Sequence, residues 1–291
     1  MFAYSLSPNI AFHFENDPKM PDLLTKLEYC RKNSPIPNSI AISCYKLTNS
    51  LSCVKWNFYK GIPWKIQVLK DSNGNIQKIL FQALFFRTFL FFRLILLPLL
   101  WRMALKEGGF YLLGTACSEG DITYLLFAKP GAGKTCTLLN WIQTKLIRFI
   151  GDGSLLYLPK HGIVPVLTEI ELRYKTIRQT SFWNSLPQRI RIRLFLYNMI
   201  SFLTHRYISF NVTLSPKQLN IEKFQDNPKA PHRIMQVYSA NTVKPVTKEE
   251  IESVIMNYLY EYHKHYKNIF DDDPYDTTIR NLQKFTQKFY S

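Results

Sequence analysis

The stretch YLLFAKPGAGKTCTLLNW, Tyr124 to Trp141, restricts the fold more than any other part of the chain. Residues Ala128 to Thr135 follow the pattern G-x-x-x-x-G-K-[ST], with alanine in place of the first glycine. Ahead of it ITYLLFA reads as a strand. Behind it TCTLLNWIQTKLI sets Leu138, Ile142 and Leu146 on one helical face. Gly131 and Gly133 allow the backbone N–H groups to turn inward around phosphates, and the helix that follows presents its positive end. Lys134 is placed to neutralise phosphate charge and Thr135 to offer a hydroxyl to Mg²⁺. The expected set for ATP with Mg²⁺ is therefore Ala128, Lys129, Pro130, Gly131, Ala132, Gly133, Lys134, Thr135 and Cys136.

Such a loop also needs a carboxylate to hold or orient the metal, usually on another strand. Asp152, in IRFIGDGSLLYL, is the candidate for metal and base. The apolar run before it and the flanking Gly151 and Gly153 place it, on this reading, exposed at a strand end. An ordinary glycine turn competes with that reading.

The order of these pieces resembles the catalytic domain of the HPr kinase/phosphorylase family, whose fold is akin to phosphoenolpyruvate carboxykinase. The residues that carry the resemblance are GGFYLLGTACSEGDITYLLFAKPGAGKTCTLLNWI and LIRFIGDGSLLYLPKHGIVPVL, with VYSANTVKPVTKEEI matching less specifically. It implies an α/β P-loop fold, a mixed sheet with flanking helices, here preceded by a small β-rich region. It further implies a kinase that moves phosphate from ATP to a hydroxyl on a protein or small molecule, with Lys134, Thr135 and Asp152 in the family's roles. Two positions depart from the family. Leu113 stands where its histidine lies, and Gly153 where its second aspartate lies, so part of the acid/base set is missing. The alternative is a nucleotide-binding sensor or assembly module without transfer. His161, Arg173 and Arg206 are further candidates, as base or phosphate contact, each weighed against a plain surface role.

The rest of the chain sets the surroundings. The expected division is a β-rich region over 1–78, a P-loop domain over 79–265 and a helical tail over 266–291. WKIQVLKDSNGNIQKILF reads as a hairpin turning at Asn73-Gly74. A helix is expected over 79–106. Its apolar run Ala83 to Trp101 is long enough for a bilayer, but Arg87, Arg93 and the interrupting Pro98 favour a buried helix over membrane association. QRIRIRLFLYNMISFL fits a strand edge or an amphipathic helix, and Thr247 with Glu250 forms a capping box. His263 and His265 are badly spaced for a shared metal.

The balance of 37 Lys+Arg against 21 Asp+Glu gives +16, a field suited to anionic partners, but no nucleic-acid-binding motif is visible. Five cysteines without metal or redox spacing, and a start unlike a secretory signal, point to the cytoplasm. Oligomeric state and the identity of the acceptor are left open by the sequence.

Overall fold

The computed structural model describes residues 3–7, 10–15, 20, 24, 27, 30–34, 36, 39–44, 55–59, 61–85, 87–128, 131–144, 147–167, 169–178, 180–203, 212–219, 221, 233–239, 242–267, 269–270 and 272–290. In chain order the strands are β1 (Ala3–Ser7), β2 (Ile10–Phe14), β3 (Arg31–Lys32), β4 (Ile40–Cys44), β5 (Asn57–Tyr59), β6 (Ile62–Lys70) and β7 (Ile76–Ala83). A continuous helical stretch follows, made of α1 (Arg87–Phe91), a wide π turn (Phe92–Leu96) and α2 (Leu97–Lys106). Then come β8 (Phe110–Glu119), β9 (Ile122–Phe127), α3 (Lys134–Thr144), β10 (Ile147–Leu158), β11 (Gly162–Pro165) and β12 (Ile170–Leu172). Short helices α4 (Tyr174–Ile177) and α5 (Phe182–Ser185) precede α6 (Gln188–Leu203), β13 (Val212–Leu214), β14 (Arg233–Ser239), β15 (Thr242–Pro245), α7 (Lys248–Lys267) and α8 (Tyr275–Tyr290). The chain is mixed α/β with several sheets and flanking helices.

Two compact units divide it. Unit 1 holds 1–110 and 259–281, and unit 2 holds 111–258 and 282–291. The helical stretch after β7 thus belongs with the N-terminal strands, whereas the sequence grouped it with the P-loop region.

Unit 1 is built on a seven-stranded sheet in the order β3-β1-β2-β4-β7-β6-β5. Its clearest local signal is the β6–β7 hairpin, in which Gly74 takes φ +76° and the Asp71 carboxylate accepts from the Asn73 and Asn75 backbone N–H groups. The pairing runs on to Trp64 opposite Ala83. Residues 79–83 are therefore strand, not the start of a helix: cross-strand partners outcompete the helical period there. Pro98 does not end the helix either. The Leu97 N–H reaches back to the Phe92 carbonyl, a wide turn just before a residue that has no N–H to give. Within the unit, Arg93 lies over the Tyr59 ring, and Trp101 donates to the Thr278 hydroxyl at 3.3 Å. Among the described residues, one helix, Thr88–Lys106, is long and apolar enough to cross a membrane, but 67% of its apolar window is buried inside the protein.

Unit 2 carries a six-stranded sheet in the order β11-β10-β8-β9-β14-β15. β8 and β9 form an antiparallel hairpin, and β14 pairs parallel to β9. Leu138 and Leu139 of α3 pack with Cys117, Tyr124, Ile147 and Phe149 in one core. Burial of such apolar side chains contributes about 1.5–3 kcal/mol each, and it fixes α3 against the sheet. The capping box forms: the Thr247 N–H donates to the Glu250 carboxylate at 2.9 Å, and the Glu250 N–H to the Thr247 hydroxyl at 3.3 Å.

Candidate functional site

β9 ends at Phe127, the buried Ala128 follows, and α3 begins at Lys134, so the motif lies on a strand, a loop and a helix in that order. Gly131 and Gly133 both have positive φ, +83° and +102°, a region that side chains disfavour. Around Gly131 a Cβ would meet nothing within 4 Å, so the backbone conformation rather than crowding calls for glycine there. The first helical bond runs from the Thr137 N–H to the Gly133 carbonyl at 2.9 Å. The N–H groups before it have no carbonyl of their own helix to meet. Lys129 and Pro130 lie outside the described residues.

The Lys134 ammonium donates to the Ala128 carbonyl at 2.9 Å, spanning the loop from its last residues to its first. Burial pulls its pKa down to about 8, with the positive Arg173 acting in the same direction and Asp152 opposing. Arg173, exposed at the end of β12, is thereby brought within electrostatic reach of the loop.

Asp152 differs most from the expectation. It is not exposed at a strand end; it sits inside the twelve-residue β10 and is 5% exposed. The glycines on both sides lie within the strand rather than in a turn. A Cβ at Gly151 would come within 2.7 Å of Leu155 and Pro165 side-chain atoms, and Gly153 adopts φ +83°. Neighbouring elements close over the carboxylate. The Thr135 hydroxyl donates to one oxygen at 2.9 Å, the Thr115 hydroxyl of β8 to the other at 2.5 Å, and the Glu171 backbone N–H donates as well. Burial still dominates and raises its pKa above the ordinary carboxylate value, although these bonds and the Lys134 charge pull the other way.

Cys136 brings no side chain to this cluster. Its thiol donates to the Thr176 carbonyl at 2.9 Å, and burial, with Asp152 nearby, pushes it up to about 11, which leaves it protonated and inert at neutral pH. His161 lies in the turn after Leu158, six strand residues and about 20 Å of chain beyond Asp152, and is not brought to the cluster. Arg206 lies outside the described residues. Leu113 is half-buried on β8, on the same face as Thr115 and one pleat away.

Thr115 is the residue that sequence reasoning missed. Its one signal is a hydroxyl in an otherwise apolar run, on the strand that hairpins into the motif. Among the described residues, no three His, Cys, Asp or Glu side chains gather as a metal cage. No protein-family model and no curated protein matches the chain.

Proposed function

We propose that unit 2 binds a Mg²⁺-nucleoside triphosphate, ATP in the simplest case, at residues 128–136. One observation carries this reading: the hydroxyl that follows the loop lysine is hydrogen-bonded to a buried strand carboxylate, Thr135 to Asp152 at 2.9 Å. An aspartate buried beside a lysine is costly unless a ligand or metal uses the charge.

The donor set suits the group. Mg²⁺ prefers one or two protein oxygens plus phosphate oxygens, so a Thr135 hydroxyl and an Asp152 carboxylate suffice without a cage. Thr135 and Asp152 would hold the ion, whose charge would offset that of the phosphates. Gly131, Ala132 and Gly133 supply backbone N–H groups, Lys134 swings from the Ala128 carbonyl to the phosphates, and Thr115 with the Glu171 N–H holds Asp152 in place. Arg173 adds positive charge at the rim.

Transfer of the terminal phosphate to a hydroxyl, in the manner of the HPr kinase-like enzymes that the sequence resembles, is the second reading. It draws on the raised pKa of Asp152, which brings the carboxylate toward the range of a working base. Against it stands the engagement of both carboxylate oxygens by threonines, with Leu113 and Gly153 giving no second acid or base. A cytoplasmic setting goes with either reading, in keeping with five cysteines that lack metal or redox spacing.

The test compares wild type with Lys134→Ala and Asp152→Asn for Mg²⁺-ATP binding, and for release or transfer of labelled γ-phosphate. Saturable binding lost in Lys134→Ala supports the proposal, and turnover lost in Asp152→Asn adds the kinase. Wild-type protein that binds no nucleotide sinks both.

A further inference from the structure

α6 is apolar on two opposite sides. Ile190, Leu194 and Tyr197 face the core of unit 2, and Leu194 is fully enclosed. The other side is a stripe at helical spacing: Ile192, Phe195, Leu196, Met199, Phe202 and Leu203, all exposed, with Phe202 at 79% and Leu203 at 72%. Phe195 touches the Tyr174 ring at 5.9 Å yet keeps nearly half its surface open. Around the helix, Arg191 flanks the stripe on one side and Arg189 and Arg193 on the other, and the helix contains no Asp or Glu. Water is the wrong solvent for six neighbouring apolar side chains.

We propose that this stripe docks on the surface of an anionic bilayer, with α6 lying in the plane of the interface. The chemistry is complementary on both counts. Apolar side chains enter the acyl boundary, while the flanking arginines reach the headgroup phosphates along their aliphatic stems. The chain's +16 charge adds long-range attraction to the same surface. A second copy of the chain fits less well. A sixteen-residue helix is about 24 Å long, and one stripe about 10 Å wide falls well short of the roughly 800 Å² per partner that a stable dimer needs. Pairing two copies also sets arginines against a helix with no acid to answer them. The stripe is separate from the apolar helix Thr88–Lys106, which is mostly buried inside the protein.

The experiment is co-sedimentation of the full chain with phosphatidylcholine vesicles, with and without phosphatidylserine. Binding is expected only with phosphatidylserine, weakening as salt is raised. The double variant Phe202→Ser with Leu203→Ser is expected to lower it about tenfold or more. Each of Arg189→Gln and Arg191→Gln is expected to lower it about fivefold. Three outcomes overturn the proposal: no binding to anionic vesicles, binding unchanged by the double serine variant, or a wild-type dimer in sedimentation velocity that this variant makes monomeric. If the double variant melts below the assay temperature, Phe202→Trp replaces it. Its added fluorescence should be quenched by brominated phosphatidylserine vesicles, and the absence of quenching also overturns the assignment.

Discussion

In each unit a carboxylate accepts from a hydroxyl with a lysine in its field, Glu15 in one and Asp152 in the other, and the two carboxyl pKa values move in opposite directions. In unit 1, Glu15 accepts from the Ser43 hydroxyl and pairs with Lys78 at 2.5 Å, in a partly exposed setting. Those bonds outweigh the modest cost of burial and hold the Glu15 carboxyl below its ordinary value. In unit 2, Asp152 has more hydrogen-bond donors, yet burial wins and its pKa goes up. Lys134 beside it goes down to about 8 rather than up, as an ammonium gaining a partner would. Glu15 and Lys78 are therefore a stabilising pair. At Asp152 and Lys134 burial disfavours both charged forms, which is the pattern expected where charge is used by a ligand.

The largest effect that could break this contrast is on binding. Lys134→Ala should weaken Mg²⁺-ATP binding by about 3 kcal/mol, more than a hundredfold, in an equilibrium titration, since a charged hydrogen bond and its field are both lost. Lys78→Ala, the same change in the other pair, should leave nucleotide affinity unchanged.

Stability should separate the pairs by sign. Asp152→Asn removes a buried ionisable group while keeping its shape, and should raise the melting temperature of the nucleotide-free protein by about 2–4 °C, or about 1 kcal/mol. Glu15→Gln should lower it by a similar amount. Matching signs in the two variants would end the comparison.

The pH dependence follows the same logic. Glu15, with its folded pKa lowered, contributes stability that is present above its unfolded value and is lost as pH falls through the folded one. Asp152, raised, imposes a penalty that is absent below its unfolded value and grows as pH rises through the folded one. Lys134 imposes a penalty that is full below about pH 8 and is relieved as pH rises from there toward its unfolded value of 10.5. Melting curves of Asp152→Asn and wild type should therefore converge in acid and diverge toward neutral pH. The smallest change is Thr115→Val. It removes one donor to Asp152, and Mg²⁺-ATP affinity should fall by about 1 kcal/mol, roughly fivefold.

What could be read in the sequence was local. The Asn73-Gly74 hairpin and the Thr247–Glu250 cap each depend on residues a few positions apart and stand where their spacing put them, as do the strand before residues 128–135 and the helix that begins at Lys134. The setting of Asp152 depends on β8 and β12, which approach it from far along the chain, so its flanking glycines read as a turn when one of them marks a close approach to Pro165. The alternating arginines at 189, 191 and 193 imitate a strand period. The longer apolar spacing of Ile190, Leu194 and Tyr197 decides for helix, and the outward stripe is visible only once that choice is made.

Burial leaves Lys134 only partly protonated near pH 8, and a bound phosphate would restore its proton. Calorimetric titration of the full chain with Mg²⁺-ATP at pH 8, in two buffers of different ionisation heat, measures this directly. With a pKa of about 8 in the free protein, binding should take up about half a proton per site, and Lys134→Ala should take up none. Binding without proton uptake, or uptake that survives Lys134→Ala, would contradict it.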